Sequence, residues 1–368
     1  MTTPSNKFKI GIFAANCSGG NSATNVPERW QATWDGNLQI AQMADAAGLE
    51  FMLPLGRWGG YGGVTDHNGV SFETLTWAAG LLGQTQRIMA FATVHVALIN
   101  PVAAAKMMTT VDHIGGGRFG LNIVCGWNRD EFDMFGVALA EHTGRYEIGQ
   151  EWIDIVKRIW TEDEAFDWDG QTFHLKGVYG NPKPVQRPHP VIMNAGASGD
   201  GLDFAVRNAD YLFTSFTTPQ HSAENIARLK GDAAKHGRDV GIFTTTHVVC
   251  RPSAKEAEDY YQYYAVDNAD AGAVETMYVG RGWRDNPKLT PEVKAQMWRR
   301  LAAANGGYLI KGDPDQVVEQ MRQLSEAGLT GIAMGLVNTP STSPISATRC
   351  CRASNASDCV PRFARRVI

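Results

Sequence analysis

The 368-residue sequence contains no run of about 20 apolar residues, the length a bilayer-spanning helix needs. It also lacks a basic stripe: acidic and basic residues are mixed throughout and the formal net charge is -4, so neither nucleic acid nor a membrane surface is an expected partner. The start, Met1 to Asn6, is short and polar, without the basic and apolar regions of a signal peptide, which leads us to expect a cytoplasmic protein. Cysteine is sparse and poorly spaced for ligation. Cys17, Cys125 and Cys250 lie far apart, while Cys350, Cys351 and Cys359 crowd into the tail, so no zinc site and no disulfide framework is expected. Absent too are a His-x-x-x-His pair, a Gly-x-Ser-x-Gly elbow, a Walker lysine and a full dinucleotide fingerprint. Zinc hydrolases, serine hydrolases, P-loop enzymes and nicotinamide dehydrogenases are thereby disfavoured, and no metal site is expected.

What is present is the material of a large core, with 43% hydrophobic residues arranged as short apolar, β-branched runs alternating with segments of helical period. Eight such runs are found: 8–14, 49–55, 88–94, 119–124, 191–195, 211–214, 242–250 and 329–336. Eight parallel strands fit a closed (β/α)8 TIM barrel better than an open doubly wound sheet. Helices are expected over 38–47, 72–82 and 102–114, closed by Gly48, Gly83 and Gly115, with Pro101 at a first-turn position. Others are expected over 150–160, 291–304 and 314–327, the last capped by Asp313.

Two connections exceed barrel loops in length: 127–146 after strand 4, and 267–307 after strand 7, whose Gly-rich Val279 to Gly282 suggests a mobile lid. The barrel domain is expected to occupy 1–338. From Thr339 the chain turns rich in Ser, Thr, Arg and Cys without apolar periodicity, so 339–368 is expected to be an atypical tail, disordered or frameshifted.

Barrel chemistry resides at the C-terminal ends of the strands. Gly56-Arg57-Trp58-Gly59-Gly60-Tyr61-Gly62-Gly63 follows strand 2, where glycines allow close backbone approach to a flat ligand; the same string also suits a flexible surface loop. Thr93 ends strand 3. Asn122 lies inside an apolar strand 4 and needs a partner, either within the core or in a ligand. Glu131 and Arg145-Tyr146 follow, an arginine fork and a phenol suited to a phosphate, although an isolated pair reads as surface charge. Asn194-Ala195-Gly196-Ala197-Ser198-Gly199 runs from a strand through glycines into a helix, whose free N–H groups suit a mononucleotide phosphate. His247 in strand 7, and His67 and His95 near strand ends, are either hydrogen-bonded core groups or acid–base residues.

The string from Val111 to Trp127, Val-Asp-His-Ile-Gly-Gly-Gly-Arg-Phe-Gly-Leu-Asn-Ile-Val-Cys-Gly-Trp, resembles the luciferase-like, FMN-dependent monooxygenases. The likeness is closest to the branch of the pyrimidine, dimethylsulfone and alkanesulfonate monooxygenases, and extends to about Asn338 through Asn181-Pro182-Lys183-Pro184, Ala195 to Ser198, and Lys311-Gly312-Asp313-Pro314. The resemblance implies that Gly56, Arg57, Asn122, Glu131, Arg145, Tyr146 and Ser198 line an FMN site, and that Thr93 and Asn122 form an oxygen pocket at the flavin face. Trp58, His67, His95 and Trp127 would line the substrate pocket, Trp127 as an apolar wall, with His247 or His95 as proton donor or substrate clamp.

The expected activity is that of a two-component monooxygenase taking reduced FMN from a separate NAD(P)H:flavin reductase and using molecular oxygen on a neutral N-heterocycle, sulfone or haloaromatic. A homodimer or homotetramer is expected. Alkanesulfonate oxidation and an F420-dependent oxidoreductase are the alternatives. The alkanesulfonate enzymes carry Arg-x-His in strand 7, whereas this chain has Thr245 and His247; without that arginine a sulfonate loses a bidentate donor unless Arg281 or Arg284 replaces it.

Overall fold

Glycines on the strands decide where the large rings go. In the computed structural model, which describes residues 8–196, 199–216 and 219–338, a side chain at Gly11 would sit 2.2 Å from the Phe51 ring, and one at Gly120 equally close to Phe91. Each missing side chain makes room for a phenylalanine of the adjacent strand, the small-against-large interleaving that fills a barrel interior.

In chain order the first elements are β1 (Lys9–Phe13), α1 (Trp34–Ala47), β2 (Phe51–Leu53), α2 (Thr74–Leu82), β3 (Met89–His95), α3 (Pro101–Ile114) and β4 (Phe119–Val124). Next come α4 (Arg129–Met134), α5 (His142–Thr161), β5 (Phe166–Asp169), β6 (His174–Val178), β7 (Val191–Asn194), α6 (Gly199–Asn208), β8 (Tyr211–Phe213) and α7 (Pro219–Ala234). The chain closes with β9 (Gly241–Cys250), α8 (Ala254–Tyr261), a π-helical stretch (Gln262–Asp267), α9 (Ala271–Gly280), α10 (Pro291–Ala304), β10 (Tyr308–Gly312), α11 (Pro314–Glu326) and β11 (Gly331–Gly335). The fold is a (β/α)8 barrel whose eight strands, β1, β2, β3, β4, β7, β8, β9 and β11, are those expected from the apolar runs.

By contact density the chain divides into two units, each with its own part of the strand set. In the unit formed by 1–72, 215–227 and 242–368, β1 lies between β11 and β2, with Ile10 opposite Ile332 and Gly11 opposite Phe51. There β9 is flanked by β11 and β10, all in parallel, with His247 opposite both Gly335 and Leu309. The unit formed by 73–214 and 228–241 holds β3, β4, β7 and β8, with Thr93 opposite Asn122 and Asn122 opposite Met193. Its core is built on Trp77, Trp152, Trp160, Phe91 and Phe119, all fully buried. Trp152 and Trp160 still donate their ring N–H groups, to the carbonyls of Ile99 (2.9 Å) and Ala105 (3.3 Å), as buried indoles require.

Helix α1 stops at Gly48, which adopts a left-handed φ of 82°, and α11 starts after Asp313, which forms a capping box with Gln316. Helix starts moved. The first helix begins at Trp34 because the Thr33 hydroxyl caps the Gly36 N–H at 3.1 Å, and α5 begins at His142, so that Arg145 and Tyr146 lie on a helix rather than in the expected loop 127–146. The antiparallel hairpin β5–β6 and the strand β10 were not foreseen. The hairpin is held by the Glu151 carboxylate, which accepts from Trp168 Nε1, Thr172 N and Phe173 N at 2.8–2.9 Å. The tail expected over 339–368 lies outside the described residues. No helix among those described is long and apolar enough to cross a membrane.

Candidate active site

In the unit carrying β3 and β4, the parallel register places Thr93 directly beside Asn122, and the Asn122 amide N–H donates to the Thr93 hydroxyl at 3.0 Å. Thr93 is fixed from behind by the Thr74 hydroxyl, which donates to its carbonyl at 2.8 Å. Asn122 Oδ1 is buried and has no hydrogen-bond partner among the described residues. An amide oxygen so placed is costly unless something else meets it. Neither group adds charge.

Beyond β4 the chain turns through Gly126, whose φ of 88° suits glycine and where a side chain would collide with the Phe132 ring. Arg145 reaches back from α5 to donate through Nη1 to the Gly126 carbonyl at 2.6 Å, while its buried Nε finds no partner among the described residues. Tyr146 lies beside it, its ring 5.8 Å from Phe204 and its hydroxyl only 2.5 Å from where a Gly201 side chain would begin. Burial, and to a lesser degree Cys125 and Asp200, push the Tyr146 phenol above its ordinary pKa, so it stays a neutral donor. Burial likewise pushes the Cys125 thiol up to about 12, against the pull of Arg145, and makes it inert as a nucleophile.

Asn194 shapes the turn into α6: it donates to the Ile123 carbonyl at 2.7 Å and accepts from the Gly196 N–H at 2.6 Å. Gly196 packs against the Gly201 carbonyl with no room for a side chain. Ser198, expected to contact phosphate, lies outside the described residues. Glu131 is buried on α4, and His95 is half-buried at the end of β3 opposite Val124. Trp127, expected as an apolar wall, is 54% exposed.

In the unit carrying β2 and β9, Gly56 is half-buried, Trp58 is exposed, and Arg57 is buried with Nη2 donating to the Gly59 carbonyl at 2.8 Å and its guanidinium 4.3 Å above the Tyr61 ring. Tyr61 stacks on His67 at 6.1 Å. His247 is fully buried, its ring 5.6 Å from that of Tyr264. Of the arginines considered as sulfonate ligands, Arg281 is half-buried and donates to Asn305 Oδ1 at 3.0 Å, and Arg284 is ion-paired with Glu275.

Asp270 was missed because nothing local marks it. It caps α9 through Ala273 N and also accepts from Val64 N (3.1 Å), Thr65 N (2.8 Å) and Thr65 Oγ1 (2.7 Å), about 205 residues away in sequence. One buried carboxylate thus ties the Gly-rich loop after β2 to the first helix of the long insertion. Burial pushes its pKa up, but the hydrogen bonds from Thr65, Val64 and Ala273 outweigh this and hold it below the ordinary value. The stabilisation is therefore complete above the ordinary carboxylate range and is lost as pH falls through the folded value. Asp270→Ala is expected to lower the unfolding free energy by about 2–3 kcal/mol in urea denaturation, since four donors lose a charged acceptor; an unchanged midpoint would show that the latch carries no weight.

A model of the luciferase-like monooxygenase family matches residues 8–331. An FMNH2-dependent dimethylsulfone monooxygenase of Pseudomonas putida is 29% identical over 342 residues, covering 91% of this chain and 92% of the relative. The pyrimidine monooxygenase RutA of Acinetobacter baylyi is 30% identical over 339 residues, covering 89% of each. Among solved structures, DmoA from Hyphomicrobium sulfonivorans superposes with a TM-score of 0.81 at 20% identity, covering 91% of this chain and 85% of its own. The long-chain alkane monooxygenase LadA gives 0.80 at 19% identity, covering 93% and 89%.

Proposed function

The chain belongs to the luciferase-like monooxygenase family, and on that premise we propose that it is the oxygenating half of a two-component system acting on a small neutral organic molecule. It is a flavin-dependent monooxygenase that uses reduced FMN and molecular oxygen. The observation that carries the site assignment is the buried Asn122 Oδ1, without a partner among the described residues, beside the Thr93 hydroxyl near the C-terminal ends of two adjacent strands.

The residues of this unit fit a flavin mononucleotide. Arg145 keeps a buried N–H without a partner among the described residues, Tyr146 stays a neutral phenol donor, and the turn held by Asn194 leads into the start of α6. Arg145, Tyr146 and Ser198 are proposed to hold the phosphate, with Gly56, Arg57, Asn122 and Glu131 as further flavin contacts. When bound, reduced FMN supplies the electrons and activates oxygen. Asn122 and Thr93 hydrogen-bond the reacting oxygen without placing a charge beside it. Trp58, His67, His95 and Trp127 are proposed to contact substrate. Burial lowers the His247 pKa to about 3, so the ring is neutral at pH 7 and holds its proton as an N–H donor to substrate.

For the substrate, neutral N-heterocycles, sulfones and haloaromatics are favoured over alkanesulfonates, because Thr245 stands where an arginine would clamp a sulfonate and Arg281 and Arg284 are already engaged. A separate NAD(P)H:flavin reductase is the proposed electron source, and a homo-oligomer the proposed assembly. The test is substrate oxidation in the presence of NADH, FMN and a reductase. Product is expected only when the reductase or chemically reduced FMN is supplied; product formed from the chain and NADPH alone would sink the two-component reading.

A further inference from the structure

Strand β9 carries four polar residues in a row, Thr244 to His247, in the unit formed by 1–72, 215–227 and 242–368. His247 is fully buried, and both of its ring nitrogens are buried without a hydrogen-bond partner among the described residues. Its neighbours in register, Leu309 and Gly335, offer no polar side chain. A neutral imidazole has one donor and one acceptor, so leaving both unmatched is costly unless something else meets them. What the imidazole does meet is a ring: Tyr264, equally buried, lies 5.6 Å away with 31° between the planes.

Tyr264 belongs to the π-helical stretch Gln262–Asp267, a rare geometry found mostly at functional sites. Its oxygens are engaged away from the histidine: the hydroxyl donates to the Ala303 carbonyl at 3.2 Å, and the backbone carbonyl accepts from the Thr24 hydroxyl at 2.7 Å. Thr24 also reaches the Asn268 carbonyl at 3.1 Å, and the Asn25 N–H donates to that carbonyl at 2.7 Å, so the loop after β1 clamps the end of the stretch. Tyr260 and Tyr261 pack against the Tyr264 ring at 5.5 and 6.0 Å, the latter edge-on. The charges of this region meet those two rings: Arg251 lies 3.8 Å over Tyr260, whose hydroxyl donates to Glu28 at 3.2 Å, and Lys311 lies 4.2 Å over Tyr261. Asn21, packed beside Gly335, is uncharged. Burial is accordingly what lowers the His247 pKa, to about 3.

We infer that Tyr264 is a positioning residue for His247: its ring holds the imidazole in one orientation and keeps water from it, so that the two nitrogens stay available to a bound molecule. The π-helical stretch is then the part of the connection between β9 and β10 that reaches the β9 histidine, and Thr24 sets its place. The inference rests on the proposed function only for what His247 does in the reaction; the contact and its effect on the imidazole stand apart from it. The competing account is an ordinary core pair, in which Tyr264 only fills volume and the imidazole is held neutral by its other walls.

Nitrogen NMR of the FMN-loaded protein, labelled at its histidine rings and followed from about pH 8 to about pH 5, separates the two, since an ordinary histidine titrates inside that range. The His247 signals are identified by their loss in His247→Gln. The parent is expected to show a neutral ring in a single tautomer throughout, and Tyr264→Phe, which keeps the ring face, to reproduce it. Tyr264→Ala opens the site to water, and His247 is then expected to titrate within about one unit of the ordinary 6.5. Thr24→Val leaves every ring in place and frees the Tyr264 carbonyl; it is the gentler change if Tyr264→Ala fails to fold, and is expected to mix the two tautomers of the neutral imidazole. A His247 that stays neutral in one tautomer in every folded variant, one that already titrates or mixes tautomers in the parent, or a Tyr264→Phe spectrum like that of Tyr264→Ala overturns the proposal. If His247→Gln oxidises substrate at the parent rate in the reductase-coupled assay, the role of His247 in the reaction falls and the positioning contact stands.

Discussion

Asn122→Ala is expected to slow substrate oxygenation by about 10²–10³-fold, the usual cost of removing one preorganised hydrogen-bonding group from a reacting centre. The structure limits what else the change can do. Among the described residues the Asn122 side chain makes a single hydrogen bond, to Thr93, and its amide oxygen meets nothing, so the fold should lose only about 1 kcal/mol. Thr93→Ala should act in the same direction, since its hydroxyl accepts from that amide. Product formed per reduced FMN consumed, measured beside a urea unfolding curve, separates chemistry from folding. An undiminished rate in a well-folded Asn122→Ala protein would remove the pair from the reaction.

Arg145→Met is the second large effect. Arg145 offers the guanidinium of the proposed phosphate site, and its Nε is buried without a partner among the described residues. Losing a charge-assisted contact costs about 1.5–3 kcal/mol, so FMN should bind roughly 10–100-fold more weakly. Riboflavin, which has no phosphate, distinguishes the proposed role from a structural one: its affinity should change by no more than about twofold, a few tenths of a kcal/mol. Equal losses for FMN and riboflavin would mean that Arg145 acts only through its hydrogen bond to Gly126.

The barrel was legible because its signals are local. Apolar β-branched runs became β1, β2, β3, β4, β7, β8, β9 and β11, and Gly48, Pro101 and Asp313 marked helix ends through their own backbone preferences. The Thr93–Asn122 pair was legible as two polar residues in apolar strands, and the register then set them side by side. What escaped depends on contacts distant in sequence. The strand β10 is only five residues long and is defined by pairing with β9, and the β5–β6 hairpin by a carboxylate on α5. Asp270 looks like an ordinary loop residue; its burial comes from a chain segment about 205 positions away. Arg145 and Tyr146 were identified by residue type but assigned to a loop, because the helical period of α5 becomes clear only from about Gln150.

The central claim is oxygen chemistry on a flavin, and isotopically labelled oxygen tests it most directly. The protein is mixed anaerobically with reduced FMN and a candidate substrate, then exposed to labelled oxygen, and the product is examined by mass spectrometry. The account predicts consumption of oxygen with one labelled atom in the product. Substrate oxidation without oxygen uptake, supported by the deazaflavin F420 in place of FMN, would contradict it.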